Sequence, residues 1–289
     1  MTNHPILIFY RYNYRSFIDV PSEEERILFS IINRQICCVD YFSGILFIMH
    51  KNPKLVCYYP VNDPKISLDH LKSYEKGEVD FIEIGLKTDN PFLDGILIKE
   101  SMKRSLGFGY LEECQNTINA INRMKNKPRK VLFMYSNKKL LNNNIMWKNF
   151  DVILCPGRLG FTRDNILLQA KTKNVLTAEF IKYRFNKSDI QRAKSSSSYI
   201  MLQYLSGKTG IKFDFDLNLS KRITRLRENG ILKPIFLGVG ISTIDQVKHI
   251  LDSGADGIVL GSSLLNAAIK GNNFLTEFLC RIRETLNGK

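Results

Sequence analysis

Eight short apolar runs recur along the chain, at residues 55–59, 81–85, 131–135, 152–155, 175–180, 199–202, 234–237 and 257–260. Each is too short for a helix and reads as a buried strand. Stretches with helical periodicity separate most of them, among them 101–124, 223–229 and 243–252. Strand and helix alternating in this way imply parallel strands joined by right-handed crossovers, which brings the C-terminal strand ends to one face. Ahead of the first run, Ser22 followed by Glu23, Glu24 and Glu25 forms a capping-box pattern that predicts a helix over residues 26–32. The chain therefore divides into an N-terminal extension with a short helix, 1–53, and an α/β catalytic domain, 54–289.

Two segments carry candidate chemistry. In FIEIGLKTDNPFLDG, from Phe81 to Gly95, Glu83 stands near the end of a strand and Asp94 returns on the following loop. A pair of carboxylates over one cavity mouth suits acid/base work, whereas a salt-bridged loop acid is the plainer alternative. The second segment, KPIFLGVGISTIDQVKHILDSGADGIVLGSSLL, reads as strand, glycine turn (Gly238, Gly240), helix, strand, then Gly261 and Ser262 opening another helix. Glycines at such turns let backbone N–H groups approach an anion, and the helix N-terminus adds a favourable dipole. Two such turns from consecutive strands form a phosphate cup, which in a parallel barrel lies after strands seven and eight.

These residues resemble the tryptophan synthase alpha subunit family, a (β/α)8 TIM barrel. EIG and DNPFLDG match its strand ending in Glu-hydrophobic-Gly and its Asp-Pro-x-x-Asp-Gly loop, with the same distance between the acids. GVGIS (Gly238 to Ser242) and LGSSLL (Leu260 to Leu265) match its two phosphate loops. GKTG resembles the end of its loop after strand six and places Thr209 and Gly210 on matching positions. FMYSN resembles the third-strand motif that sets Tyr135 against the substrate ring, and NDP, at Asn62 to Pro64, resembles the turn after strand one. The resemblance runs in order over roughly residues 54 to 289.

The resemblance implies a lyase of tryptophan biosynthesis that cleaves indole-3-glycerol phosphate to indole and glyceraldehyde 3-phosphate by a retro-aldol reaction. It implies no metal and no organic cofactor. Glu83 would be the general acid/base, and Asp94 would accept the indole N–H and stabilise charge on the ring. Gly210, Gly238, Gly240, Gly261 and Ser262 would hold the phosphate, with Thr209 closing the loop. The family's partner is a tryptophan synthase beta chain; Lys87, Asn90 and Gly157 depart from the family's residues on the face that meets it. Met201 stands where the family has its strand-six tyrosine, with Tyr199 two residues away, and Val239 replaces an aromatic in the phosphate turn. Two alternatives stay open: a relative acting on another phosphorylated substrate, and a non-catalytic alpha-type subunit that regulates a beta-type partner.

Composition adjusts this picture little. The 289 residues suit one barrel plus an addition, and 44% hydrophobic content is ample for a core. Six cysteines without C-x-x-C spacing and four scattered histidines suggest neither a zinc cluster nor a His-centred triad, so reduced thiols and a cytoplasmic location are expected. The start lacks the pattern of a cleaved leader, and the most apolar run, 44–49, is too short to span a bilayer. A net charge of +14 raises the question of nucleic acid. The basic residues are spread along the whole chain without an RNA-binding signature, so no nucleic acid and no membrane are expected as partners. YRYNYR, at Tyr10 to Arg15, reads as an aromatic-rich surface strand, and the basic field favours a phosphorylated substrate.

Overall fold

The computed structural model describes residues 39–40, 45–46, 52–88, 90–105, 110–136, 147–157, 160–206 and 215–288. The chain divides into two compact units, Met1–His50 and Lys51–Lys289. In the first, Val39–Asp40 pairs antiparallel with Ile45–Leu46. The helix expected at 26–32 and the strand expected at 10–15 lie outside the described residues.

The second unit is a closed barrel of eight parallel strands. They are β1 (Lys54–Pro60), β2 (Phe81–Gly85), β3 (Arg129–Phe133), β4 (Val152–Leu154), β5 (Leu176–Ile181), β6 (Ile200–Gln203), β7 (Ile235–Gly238) and β8 (Gly257–Leu260). β8 pairs with β1 through Val259 and Val56 and closes the ring. β2, β4, β6, β7 and β8 are buried along their whole lengths, as expected of strands covered on both faces. The fold is the TIM barrel expected from the sequence.

The surrounding helices are α1 (Leu71–Lys76), α2 (Ile96–Arg104), α3 (Tyr110–Asn122), α4 (Phe161–Thr172), α5 (Lys187–Ser195), α6 (Leu219–Glu228), α7 (Ile244–Asp252), α8 (Ser262–Ile269) and α9 (Asn272–Leu286). α9 buries Leu275, Leu279, Ile282 and Leu286, a single stripe at helical spacing. α7 starts at a capping box in which Thr243 and Gln246 satisfy each other's backbone N–H groups. The stretch 101–124 is not one helix but the end of α2 and the whole of α3. At Ser105 the backbone leaves the helical basin (φ −53°, ψ 114°), and Gly107 and Gly109, poor helix formers, follow in the sequence.

The barrel interior is layered. Phe81, Tyr199 and Phe236 pack their rings together, with centroids 4.8 to 5.8 Å apart. This aromatic layer supports the next one toward the strand C-termini, where Glu83 stands two residues beyond Phe81 on the same face of β2. At the other end Arg283 of α9 reaches the carbonyls of Pro53, Gly77 and Glu78 and the Asp80 carboxylate, fastening the last helix to the start of the barrel.

Candidate active site

Glu83 is 3% exposed and sits midway along β2, in register with Tyr58 on β1 and Val131 on β3. Its Oε1 accepts a hydrogen bond from the Tyr199 hydroxyl at 3.2 Å, from across the barrel. Burial pushes its carboxyl up to about 8; the Tyr199 bond opposes the shift, and the Asp94 charge adds to it. Met201, on the family's tyrosine position, lines the cavity instead of bonding the acid. Tyr199, preceding β6 and on the same face as Met201, supplies the phenol.

Asp94 is 5% exposed and lies in the turn before α2, whose N-cap is Gly95. Tyr135, two residues past the end of β3, donates its hydroxyl to Asp94 Oδ2 at 2.6 Å. Burial raises the Asp94 carboxyl to about 6, against the lowering effects of that bond and of the Lys99 charge. Each carboxylate thus has its own tyrosine, contributed by another strand end. Between pH 6 and 8 this leaves Asp94 ionised while Glu83 keeps its proton, two states that differing surroundings set for two carboxyls of one cavity.

Both acids line one cavity, together with Tyr58, Leu93, Ile98, Phe133, Tyr135, Pro156, Phe180, Met201, Val239, Val259 and Gly261. The cavity itself holds about 50 Å³, and about 500 Å³ when the open solvent at its mouth is counted in. Apart from the two acids and the tyrosine hydroxyls its walls are apolar, as a site for a flat hydrophobic ring requires.

The turn after β7 lies at the rim. Gly240 has φ +90°, and a side chain there would press on Leu205, with its Cβ 2.8 Å from Leu205 Cδ1. Val239, between the two glycines, has φ +73°, a costly conformation for a β-branched residue. A side-chain atom at Gly238 would overlap Met201. Gly261 caps α8, and the hydroxyls of Ser262 and Ser263 in its first turn are buried without a hydrogen-bond partner among the described residues. Buried hydroxyls in the first turn of a helix, whose leading backbone N–H groups have no partner within the helix, suit an anion. Thr209 and Gly210 lie outside the described residues, so the structure brings together Glu83, Asp94 and Tyr135 around the cavity and Gly238, Gly240, Gly261 and Ser262 on the β7 and β8 ends.

The NDP turn after β1 has a structural use. Asn62 has φ +64°, and Asp63 accepts hydrogen bonds from Ser101 Oγ (2.6 Å) and from Arg104 Nε (3.0 Å) and Nη2 (2.7 Å), both on α2. Burial works to raise the Asp63 carboxyl, but these bonds and that of the Lys65 backbone N–H outweigh it, leaving the group below its ordinary value. Among the residues set apart from the family pattern, Lys87 donates its ammonium to the Ser105 carbonyl at 2.7 Å, and Gly157 has φ +150° beside Phe92.

Among the described residues, no cluster of His, Cys, Asp and Glu could hold a metal ion, and no helix is long and apolar enough to cross a membrane. Tyr199, named from the sequence as the neighbour of Met201 on one strand face, is the phenol that meets Glu83. Tyr58 is a cavity residue that no motif marked; its place two residues before the end of β1 is the signal that could have found it.

Comparison with known proteins agrees with the geometry. Residues 161–283 match the family model for the tryptophan synthase alpha chain. Over 249 residues the chain is 27% identical to the tryptophan synthase alpha chain of Cyanidioschyzon merolae, a match covering 80% of this chain and 98% of that one. It is 28% identical over 229 residues to the alpha chain of Leifsonia xyli, covering 75% and 86%. Among solved structures, tryptophan synthase from Mycobacterium tuberculosis superimposes with a TM-score of 0.71 at 18% identity, over 82% of this chain and 94% of that one. A mutant alpha-subunit from Pyrococcus furiosus gives 0.66 at 22% identity, over 83% and 100%. The structural likenesses speak to the fold, and the sequence matches to the lineage. The chain is thus similar to tryptophan synthase alpha chains over most of its length, and its residues 161–283 match the model of that family.

Proposed function

We propose that the protein is an indole-3-glycerol phosphate lyase, releasing indole and glyceraldehyde 3-phosphate. The observation that carries the reading is the pair of buried carboxyls on one apolar cavity, each fixed by its own tyrosine, with burial raising Glu83 further than Asp94. Cleavage breaks the bond between the ring and the carbon bearing the hydroxyl. The ring carbon gains a proton, and the hydroxyl loses one as it becomes the aldehyde. Glu83, protonated near neutral pH, gives the first proton and takes the second, so it ends the cycle as it began. Asp94, ionised, accepts the ring N–H and offsets positive charge that builds on the ring during protonation.

The phosphate would rest on the turns holding Gly238, Gly240, Gly261 and Ser262, where the buried Ser262 hydroxyl supports the assignment, with Gly210 and Thr209 contributing from the loop after β6. Anchoring at that end would align the scissile bond with Glu83. A tryptophan synthase beta chain is the partner to test. The ammonium of Lys87 is hydrogen-bonded within its own chain, to the Ser105 carbonyl. A cytoplasmic location goes with this reading, and the thiols of Cys57 and Cys155 are buried in the barrel.

The test is indole release from indole-3-glycerol phosphate by the purified chain, alone and with a beta chain added. Glu83→Gln is expected to lower the rate by about 10² to 10⁴ while sparing phosphate binding. Undiminished indole release by that variant, or none from the wild type in either tube, would remove the reading.

A further inference from the structure

Tyr58 is 2% exposed, lines the cavity that holds Glu83 and Asp94, and has a hydroxyl with no hydrogen-bond partner among the described residues. Its position is built. The Tyr74 hydroxyl donates to the Tyr58 carbonyl at 2.7 Å and fixes the strand there. The phenol lies across Gly85 so closely that any side chain at residue 85 would overlap its ring and its oxygen. Phe133 meets the ring edge-on at 5.9 Å, and Phe133 in turn packs on Tyr135, the residue that holds Asp94.

The other two tyrosine hydroxyls at the acids are spent, Tyr199 on Glu83 and Tyr135 on Asp94. Leaving a buried hydroxyl unpaired costs stability, and a phenylalanine would line the wall at no such cost. Burial and the nearby Asp94 and Glu83 charges both hold the Tyr58 phenol in its protonated form, so it can donate. Although β1 pairs with β8, the Tyr58 ring leans the other way, over Gly85 of β2 toward Phe133 and the wall that leads to Asp94.

We propose that Tyr58 is a substrate-selecting residue whose hydroxyl donates a hydrogen bond to an acceptor atom on the bound ring, so that the preferred substrate is an indole carrying a ring oxygen substituent. This rests on the lyase reading and narrows it to ring-hydroxylated members of the indole class. A site built around a buried donor discriminates against a ligand that lacks the acceptor, because the donor then stays unpaired.

The experiment measures, by calorimetry, the binding of indole and of indoles bearing one hydroxyl at each benzo-ring carbon in turn. Wild type and Tyr58→Phe are compared, a change that removes a single oxygen. The expected result is that wild type prefers one hydroxyindole over indole by about tenfold or more. Tyr58→Phe should lose that preference while holding indole at least as well. Equal affinity of wild type for indole and every hydroxyindole, or a preference that survives in Tyr58→Phe, would overturn the proposal and leave the lyase reading standing. Failure of every indole to bind either protein would overturn both.

Discussion

Two carboxylic acids in one cavity differ because of what surrounds each. Glu83 is deep among strand residues, faces the charge of Asp94 and receives one hydrogen bond of 3.2 Å; Asp94 sits in a turn, receives one of 2.6 Å and feels Lys99. The stronger bond and the nearby ammonium favour its ionised form, whereas complete burial and the Asp94 charge leave Glu83 protonated. The proposed lyase chemistry needs Asp94 ionised and Glu83 neutral. We therefore expect kcat/KM for indole release to rise with pH through about 6 as Asp94 ionises, and to fall above about 8 as Glu83 loses its proton. Because the charges interact, the two limbs report the pair. A rate still climbing between pH 8 and 9 would show that Glu83 is not needed as an acid.

Elements place these residues. Asp94 hangs on the turn that feeds α2, and α2 is tied to the end of β1 by the bidentate Arg104–Asp63 pair and the Ser101 hydroxyl. The Asp63 carboxylate is fully enclosed, whereas Arg104 is 24% exposed. Removing one partner strands the other, at a cost toward the lower end for buried pairs because Arg104 reaches solvent. Asp63→Ala should destabilise the fold by about 2 to 3 kcal/mol in urea unfolding. It should also reduce kcat more than it weakens phosphate binding, since the loosened helix carries Asp94 and not the β7 and β8 turns. An unchanged kcat would mean that the Asp94 turn is held without this tie.

At the scale of the whole molecule, the closed barrel is what removes Glu83 from water, and the molecule's stability registers it. The folded state holds the Glu83 proton up to about pH 8, while the unfolded chain releases it near 4.5. Over that window the unfolded state binds fewer protons, so stability falls as pH rises. Each unit is about 1.4 kcal/mol, and the Asp94 shift acts in the same direction. Glu83→Gln removes the larger contribution. We expect the variant to melt at a higher temperature than wild type at pH 8 and to lose that advantage toward pH 4.5, as followed by circular dichroism. Parallel melting of both proteins across this range would show Glu83 ionised in the folded state throughout.

The sequence by itself determined the barrel and its acid pair. Eight short apolar runs alternating with amphipathic helices leave few ways to bury both sheet faces, and motif order fixed Glu83, Asp94 and the glycine turns. The break at Ser105 was less legible, because apolar spacing continues across residues whose backbone does not. Only the tertiary structure decided the partners of the acids. Tyr199 meets Glu83 across 116 residues of sequence and Tyr135 meets Asp94 across 41. No local pattern records such a pairing, since it depends on strand register and on which side chains the closed barrel turns inward. The orphan hydroxyl of Tyr58 belongs to the same class: the chain supplies a tyrosine and a glycine, and only the β1–β2 register lays one across the other.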